Sequence, residues 1–397
     1  MPVNLRELPD KLPPPPFPGK VRWFLLVVLC TATGFGLTLL FHTGEQWSDS
    51  TSFWSRALAL PLILGLFLYG LRLLAHETRE AYVTGWNRAR SDLESQLVDQ
   101  GRQPIALLAS SYCTAGGSEH LAASLRNGKK PLQTVFLPFN NATMRWSPLV
   151  DPQSYPPEAY PQRVDMWLER VLAAPAVDLN RLFPGQPVQV RIRHNALLAD
   201  EDVLKIWQSF AQRKGLNIES ARVASDEDGL LWLDSWLDQE KAFALVLSVE
   251  FSLFDRPVAD QAESISVVLL ARAGFCQAQG LQPAAWVHRP VAMTAEPQSL
   301  REVLLWGRVT DDGLPFAWQA QVPAPRLHEM SMALAKAGRA LSNDTCLCLD
   351  QTLGAPGSAV GNLSLIVAAE QATTDKQPQL LMVQDVTPQW CIVQPVL

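Results

Sequence analysis

Apolar and polar positions divide this chain unevenly: two long apolar runs stand near the N-terminus, and a long stretch of short mixed patterns follows. Residues 23–41 (WFLLVVLCTATGFGLTLLF) carry no charge, and residues 57–75 (ALALPLILGLFLYGLRLLA) carry only Arg72, close to the end of the run. Each is long enough to cross a hydrocarbon core as a helix, and an arginine at a helix end can reach the headgroups. The pattern predicts a transmembrane hairpin over 23–75, preceded by a Pro-rich arm (1–22) and followed by a stalk helix and linker (76–103). A secretory signal peptide is the competing reading of the first run. The arm KLPPPPFPGK, the lack of a small-residue cleavage site and the second run argue against it.

Beyond the hairpin the periodicity alternates. PIALLAS (104–110) is a short apolar run of buried-strand type; CTAGG reads as a loop, and SEHLAASLRNGKK as a helix with Ser118 at its N-cap and Gly128 past its end. Residues 137–163 are rich in Pro, Asn and Tyr and read as irregular chain. Helical periodicity marks 164–172 and 200–213, and PVQVRIRH (187–194) alternates like a strand with one solvated face. Further on, a Trp-rich helix (229–239) precedes strands 242–251 and 264–272, helix 273–281 and strand 284–290. Helix 329–341, strand 345–349, helix 361–371 and a terminal hairpin complete the pattern. Strands alternating with helices predict an α/β domain over 104–397.

Charge sets the orientation. Arg6, Lys11, Lys20 and Arg22 precede the first run, and Arg72 at the end of the second is followed by Arg79, Arg88 and Arg90, whereas the loop between them has only Arg56. Both chain ends are therefore expected on the cytoplasmic side and residues 42–56 outside. A net charge of −6 argues against a nucleic-acid partner. The six cysteines show no CxxC or zinc spacing, which suits a reducing compartment. Cys346 and Cys348, two apart on a strand, read as packing residues.

In order, these segments resemble the thiolase/β-ketoacyl synthase fold. PIALLASSYCTAGGSEHLAASLRNGKKPL has the cadence of the family's first strand, glycine loop and helix, with Gly117 at the loop glycine and Gly128 after the helix. ESISVVLLARAGFCQAQGLQPAAWVHRP is similar to its central strand–helix–strand. DQTLGAPGSAVGNLSLIVAAEQA is similar to the "G-H-x-x-G-A-A-G" segment that opens its apolar C-terminal helix. The resemblance implies two related βα halves, about 104–258 and 259–397, divided near 251–262, with a helix pair between the sheets and strands 104–110 and 264–272 in equivalent places.

The family's catalytic positions are changed. The nucleophilic cysteine of "A-C-A-T-G" falls on Asp226, the histidine of "G-H-x-x-G-A" on Gln351, and no "N-A-H-G-T" segment is present; His288 and His328 stand in other contexts. A carboxylate is no substitute for a thiolate held at a helix N-terminus, and an amide cannot exchange a proton near neutral pH. Cys113, in a small-residue loop before a helix that contains His120, is the alternative nucleophile. Asp226, Glu227 and Asp228 read as a solvated helix N-terminus in preference to a metal site. Gly116–Gly117 and the turn 354–357 lack a P-loop lysine or a dinucleotide fingerprint. Trp232 and Trp236, one helical turn apart, read as core or dimer contact. No cofactor and no metal is expected.

The residues and the resemblance together predict a protein of the bacterial inner membrane, multi-pass, with a cytoplasmic thiolase-like domain. The expectation is that it is not an enzyme but a scaffold that binds a protein partner, with the bilayer and a second copy of the chain as further partners. Degenerate proteins of this kind resemble accessory proteins encoded with type VI secretion effectors, which implies an adaptor role. The alternative is a membrane-tethered acyltransferase or condensing enzyme that uses Cys113.

Overall fold

The computed structural model describes residues 3, 5–41, 51–137, 141–149, 159–174, 177–183, 186–239, 243–294, 298–309, 316–342 and 344–396. Two compact units divide the chain, one over Val3–Leu97 and one over Val98–Leu397. In the first, α1 (Lys20–Phe41) and α2 (Thr51–Trp54) lead through a π-helical turn into α3 (Leu60–Gly101), which continues into the second unit. Two helices here are long and apolar enough to cross a membrane. They pack where glycine removes a side chain: a Cβ on Gly34 would lie 2.0 Å from Pro61 Cγ, and one on Gly65 would lie 3.1 Å from Val27 Cα. Small residues at a helix contact are how membrane helices associate when there is no hydrophobic gain between them. The Pro-rich arm lies along α3. Asn87 accepts from the Leu12 amide at 2.9 Å and donates back to its carbonyl at 3.0 Å, and Phe17 meets the His76 ring edge-on. Of the loop expected outside, residues 42–50 fall outside the described residues.

The second unit opens with β1 (Ile105–Thr114), α4 (Leu121–Arg126) and a small hairpin, β2 (Gln133–Leu137) and β3 (Ala142–Trp146). Then come α5 (Tyr160–Leu172), α6 (Leu179–Leu182), β4 (Val188–Arg193), α7 (Asp200–Lys214), β5 (Ile218–Val223), α8 (Trp232–Asp238), β6 (Leu245–Ser252) and β7 (Ser264–Arg272). The link α9 (Ala273–Gln279) leads to β8 (Ala285–Val287), β9 (Val291–Ala292), α10 (Gln298–Trp306), β10 (Phe316–Ala320) and α11 (Ala324–Lys336). The chain ends with β11 (Cys346–Cys348), α12 (Leu349–Thr352), α13 (Val360–Asp375), β12 (Gln379–Gln384) and β13 (Pro388–Pro395).

The sheet order exposes an internal repeat. One half runs β5-β4-β6-β7-β1 and the other β11-β10-β12-β13-β8, the halves meeting where β1 pairs with β8. In both halves the first two pairings are parallel and the next two antiparallel. Position for position, β1 therefore corresponds to β8, and β7 to β13. This corrects the expected equivalence of strands 104–110 and 264–272: those two are direct antiparallel neighbours, with Cys113 opposite Ile265. It also moves the boundary between halves past β7, into residues 273–284.

Three cores follow from this layering. The largest joins β1, β7, β8, β12 and β13 of both halves to α4, α8 and α13. A second packs α5 and α7 on the outer face of the first half, and a third packs α10 and α11 on that of the second. From Val360 to Ala369 every residue of α13 is buried, which explains its lack of a polar face. The solvated face expected on β4 is absent: residues 190–193 are all buried, because β4 lies inside the sheet between β5 and β6.

Candidate functional site

Helices α8 and α13 occupy equivalent places, α8 between β5 and β6 in the chain and α13 between β11 and β12, and their N-termini approach each other. A Cβ on Gly361 would lie 3.3 Å from the Gly229 carbonyl oxygen and 2.9 Å from Glu250 Oε1. Around this meeting point the structure gathers charges that the sequence leaves scattered. Arg191 donates to Glu250 Oε1 at 2.7 Å and to Ser248 Oγ at 3.0 Å, and pairs with Glu227. Its guanidinium also lies over the Trp232 ring, 4.5 Å from the centroid. Glu250 accepts from the Asn362 amide in the first turn of α13 at 2.7 Å, so a carboxylate is held against the positive end of a buried helix.

The β12–β13 turn closes the site from the second half. Asp385 accepts from the Gly229 amide at 2.9 Å and pairs with Arg193. Gln389 accepts from the Leu230 amide at 2.8 Å. Asp228 accepts from the Val386 and Thr387 amides at 3.0 and 2.9 Å. The amide donors at the start of α8, where a thiolate or an oxyanion would find stabilisation, are thus engaged by side chains of the other half.

The acids read as one run therefore diverge. Asp226 is exposed, Glu227 turns to Arg191 and Arg222, and Asp228 caps the turn. Gln351 is exposed on α12, and no hydrogen bond joins it to Asp226 among the described residues. Cys113 corrects a further expectation. It lies within β1, not in a loop, and packs in the second core beside α5. Burial pushes its thiol pKa up, Arg170 opposing only in part, so little thiolate forms. His120 precedes α4 as its N-cap, with a left-handed φ of 52°.

One contact group has the composition of a hydrolytic triad but the wrong order. Ser225 Oγ donates to Asp200 at 2.9 Å, and His194 Nε2 lies 3.0 Å from the same carboxylate, while His194 Nδ1 accepts from the Ala196 amide. The carboxylate stands in the middle, so the imidazole cannot take the serine proton. Trp232 and Trp236 are stacked, 6.1 Å apart, within the main core. Cys346 and Cys348 flank Leu347 in β11, half-buried; burial carries the Cys346 thiol up to about 12.

No motif singles out Arg191, Arg193 and Glu250, yet the sequence carries a signal for them. VQVRIR and LVLSVEFS put ionised side chains inside strands of otherwise apolar character, and a buried charge needs a partner.

No family model and no curated protein matches the sequence. Solved structures do. A ketosynthase of the bacillaene polyketide synthase in Bacillus amyloliquefaciens is similar with a TM-score of 0.51 at 13% identity, over 75% of this chain and 74% of that one. The module 6 ketosynthase of the Bacillus subtilis 168 bacillaene synthase gives 0.52 at 10% identity, over 74% and 72%. A chain from a type II polyketide synthase complex of an acyl-carrier protein with its ketosynthase gives 0.51 at 10%, over 74% of this chain and 100% of that one. The domain has the thiolase-like ketosynthase fold. The expectation that the chain is not an enzyme is corrected by these likenesses: the structures compared are ketosynthases, so the fold it carries is that of condensing enzymes.

Proposed function

We propose that this chain is a membrane-anchored protein whose ketosynthase-type domain engages an acyl-carrying protein partner at the cytoplasmic face of a bacterial inner membrane. The observation that carries the reading is the fold itself, shared with a ketosynthase solved in complex with an acyl-carrier protein. Two apolar helices joined to the domain through α3 supply the anchor, and the distribution of arginine and lysine sets the side. A reporter active only in the periplasm, fused after Leu397, should be silent; full activity would place the domain outside.

The partner is tested with the full chain in non-ionic detergent, by cross-linking to a panel of acyl-carrier proteins in holo and acylated form, with intact mass read afterwards. A cross-link to the acylated carrier supports the reading. An acyl adduct on the chain that disappears in Cys113→Ala would add the acyl-transfer step of a condensing enzyme. Capture of a secretion effector from the native cell, with no carrier bound, would replace the acyl-carrying partner by an adaptor's cargo.

A further inference from the structure

At the opposite end of β6 and β7 from the charged junction, an open cavity of about 520 Å³ lies between α8, α9 and the segments that precede β1 and follow α10. Ala244, just before β6, lines it, whereas Glu250 marks the junction; six residues of strand separate them by about 20 Å. Three arginines line this cavity, Arg102, Arg272 and Arg308, against one acid, Asp99. Among the described residues none of the three has a carboxylate partner; the ion pairs of this unit lie elsewhere.

Two of the guanidiniums are held in place by backbone. Arg102 Nε donates to the Leu305 carbonyl at 3.2 Å, and Arg272 donates to the Trp236 and Gln239 carbonyls at the end of α8, at 2.5 Å each. Arg308, with a left-handed φ of 48°, is exposed. Helix ends explain Arg272 and Arg102 on structural grounds, since Leu305 lies in the last turn of α10, but they do not explain Arg308. Burial also lowers the Arg272 pKa with no anion to offset it, which is the condition a bound anion would relieve. Gln277 adds an amide and Phe275 a half-buried ring to the wall.

We infer that this cavity binds a ligand bearing phosphate, with its charge on Arg102 and Arg308 and its remaining part against Phe275. Planar guanidinium forks match phosphate oxygens in pairs, and the volume is that of a small-molecule site. The inference is independent of the acyl-carrier reading, since it concerns the other end of the sheet.

The test is calorimetric titration of the full chain, in non-ionic detergent at low ionic strength, with inorganic pyrophosphate and with adenosine monophosphate. Saturable binding is expected, weakened about tenfold or more by Arg308→Gln and by Arg102→Gln, and unchanged by Arg326→Gln on the exposed face of α11. Unaltered tryptophan fluorescence would show that the variants stay folded. Displacement of pyrophosphate by phosphatidylglycerol in mixed micelles would assign the phosphate to a lipid headgroup; no displacement would assign it to a soluble metabolite. Absence of binding by either probe, or equal weakening by Arg326→Gln, would overturn the site.

Discussion

Arg191 and Glu250 sit on neighbouring parallel strands, two positions off register, and join 2.7 Å apart with 1% and 0% of their surface exposed. The pair is the centre of the contacts between the two helix starts, because Glu250 is also the acceptor for the first turn of α13. Removing one partner from a buried pair leaves an unpaired charge and costs about 3–5 kcal/mol, whereas replacing both by apolar residues costs far less. Arg191→Met should therefore lower the stability of the domain by that amount. Arg191→Met/Glu250→Leu should recover a large part of it, short of the unpaired Asn362 amide. Urea unfolding of the detergent-solubilised chain, followed by tryptophan fluorescence, measures both.

Much of the architecture is legible in the sequence alone. The two apolar runs, the β7 bounds 264–272 and the predominantly apolar first part of α13 each follow from patterns that neighbouring elements cannot easily override. The rest is hidden for physical reasons. β5 (IESARV) is an edge strand with mixed burial, so it has no clean alternation. The apolar run of β1 ends at Ser110, since the residues after it, SYCT, are polar or small, yet pairing with β7 carries the strand to Thr114. By composition alone that stretch resembles a loop, and Cys113 within it resembles a nucleophile; the pairing makes it a buried strand residue. The charged junction escapes a linear reading because its members, Arg191, Glu250 and Asp385, come from strands and a turn far apart in sequence, and only the pairing of the halves collects them.

Gly361 allows the two helix starts to approach. Its missing Cβ would fall 2.9 Å from Glu250 Oε1 and 3.3 Å from the Gly229 carbonyl oxygen, on a carboxylate already fixed by Arg191 and on backbone. Overpacking of this kind costs roughly 1–3 kcal/mol. Gly361→Ala should lower the unfolding midpoint accordingly, while Gly274→Ala, where nothing lies within 4 Å, should leave it nearly unchanged. Thermal unfolding of the two variants side by side gives the comparison.

The thiols of the domain should differ from a reactive cysteine in rate. Cys113, Cys276 and Cys391 are buried, and burial raises each pKa. At pH 7.5 in the native state, iodoacetamide should label these three at least about tenfold more slowly than in urea, because the thiolate is the attacking form. Peptide mass mapping over a time course reads this directly. Fast native labelling of Cys113 would restore it as a nucleophile and favour acyl transfer at that position.

His288 makes stability depend on pH in a defined direction. It is 3% exposed between β8 and the edge of the third core, with Nε2 3.0 Å from Gln394 Oε1. Burial holds its pKa down to about 4, Arg308 acts in the same sense, and the Gln394 hydrogen bond opposes them. The folded state thus keeps the ring neutral where the unfolded chain, with an ordinary histidine pKa near 6.5, takes up a proton. The stability due to the neutral ring is fully present above about pH 6.5 and falls as the pH drops toward 4, by roughly 3 kcal/mol over the whole window. Burial lowers the His194 pKa as well, so that residue adds in the same direction. Carboxylates also titrate at the acid end, and for that reason the comparison is between the wild type and His288→Gln. Urea unfolding at pH 7.5, 6.0 and 5.0 should show the wild type losing stability more steeply than the variant. Parallel losses in the two proteins would mean that the ring is protonated within the fold and that its surroundings accept the charge.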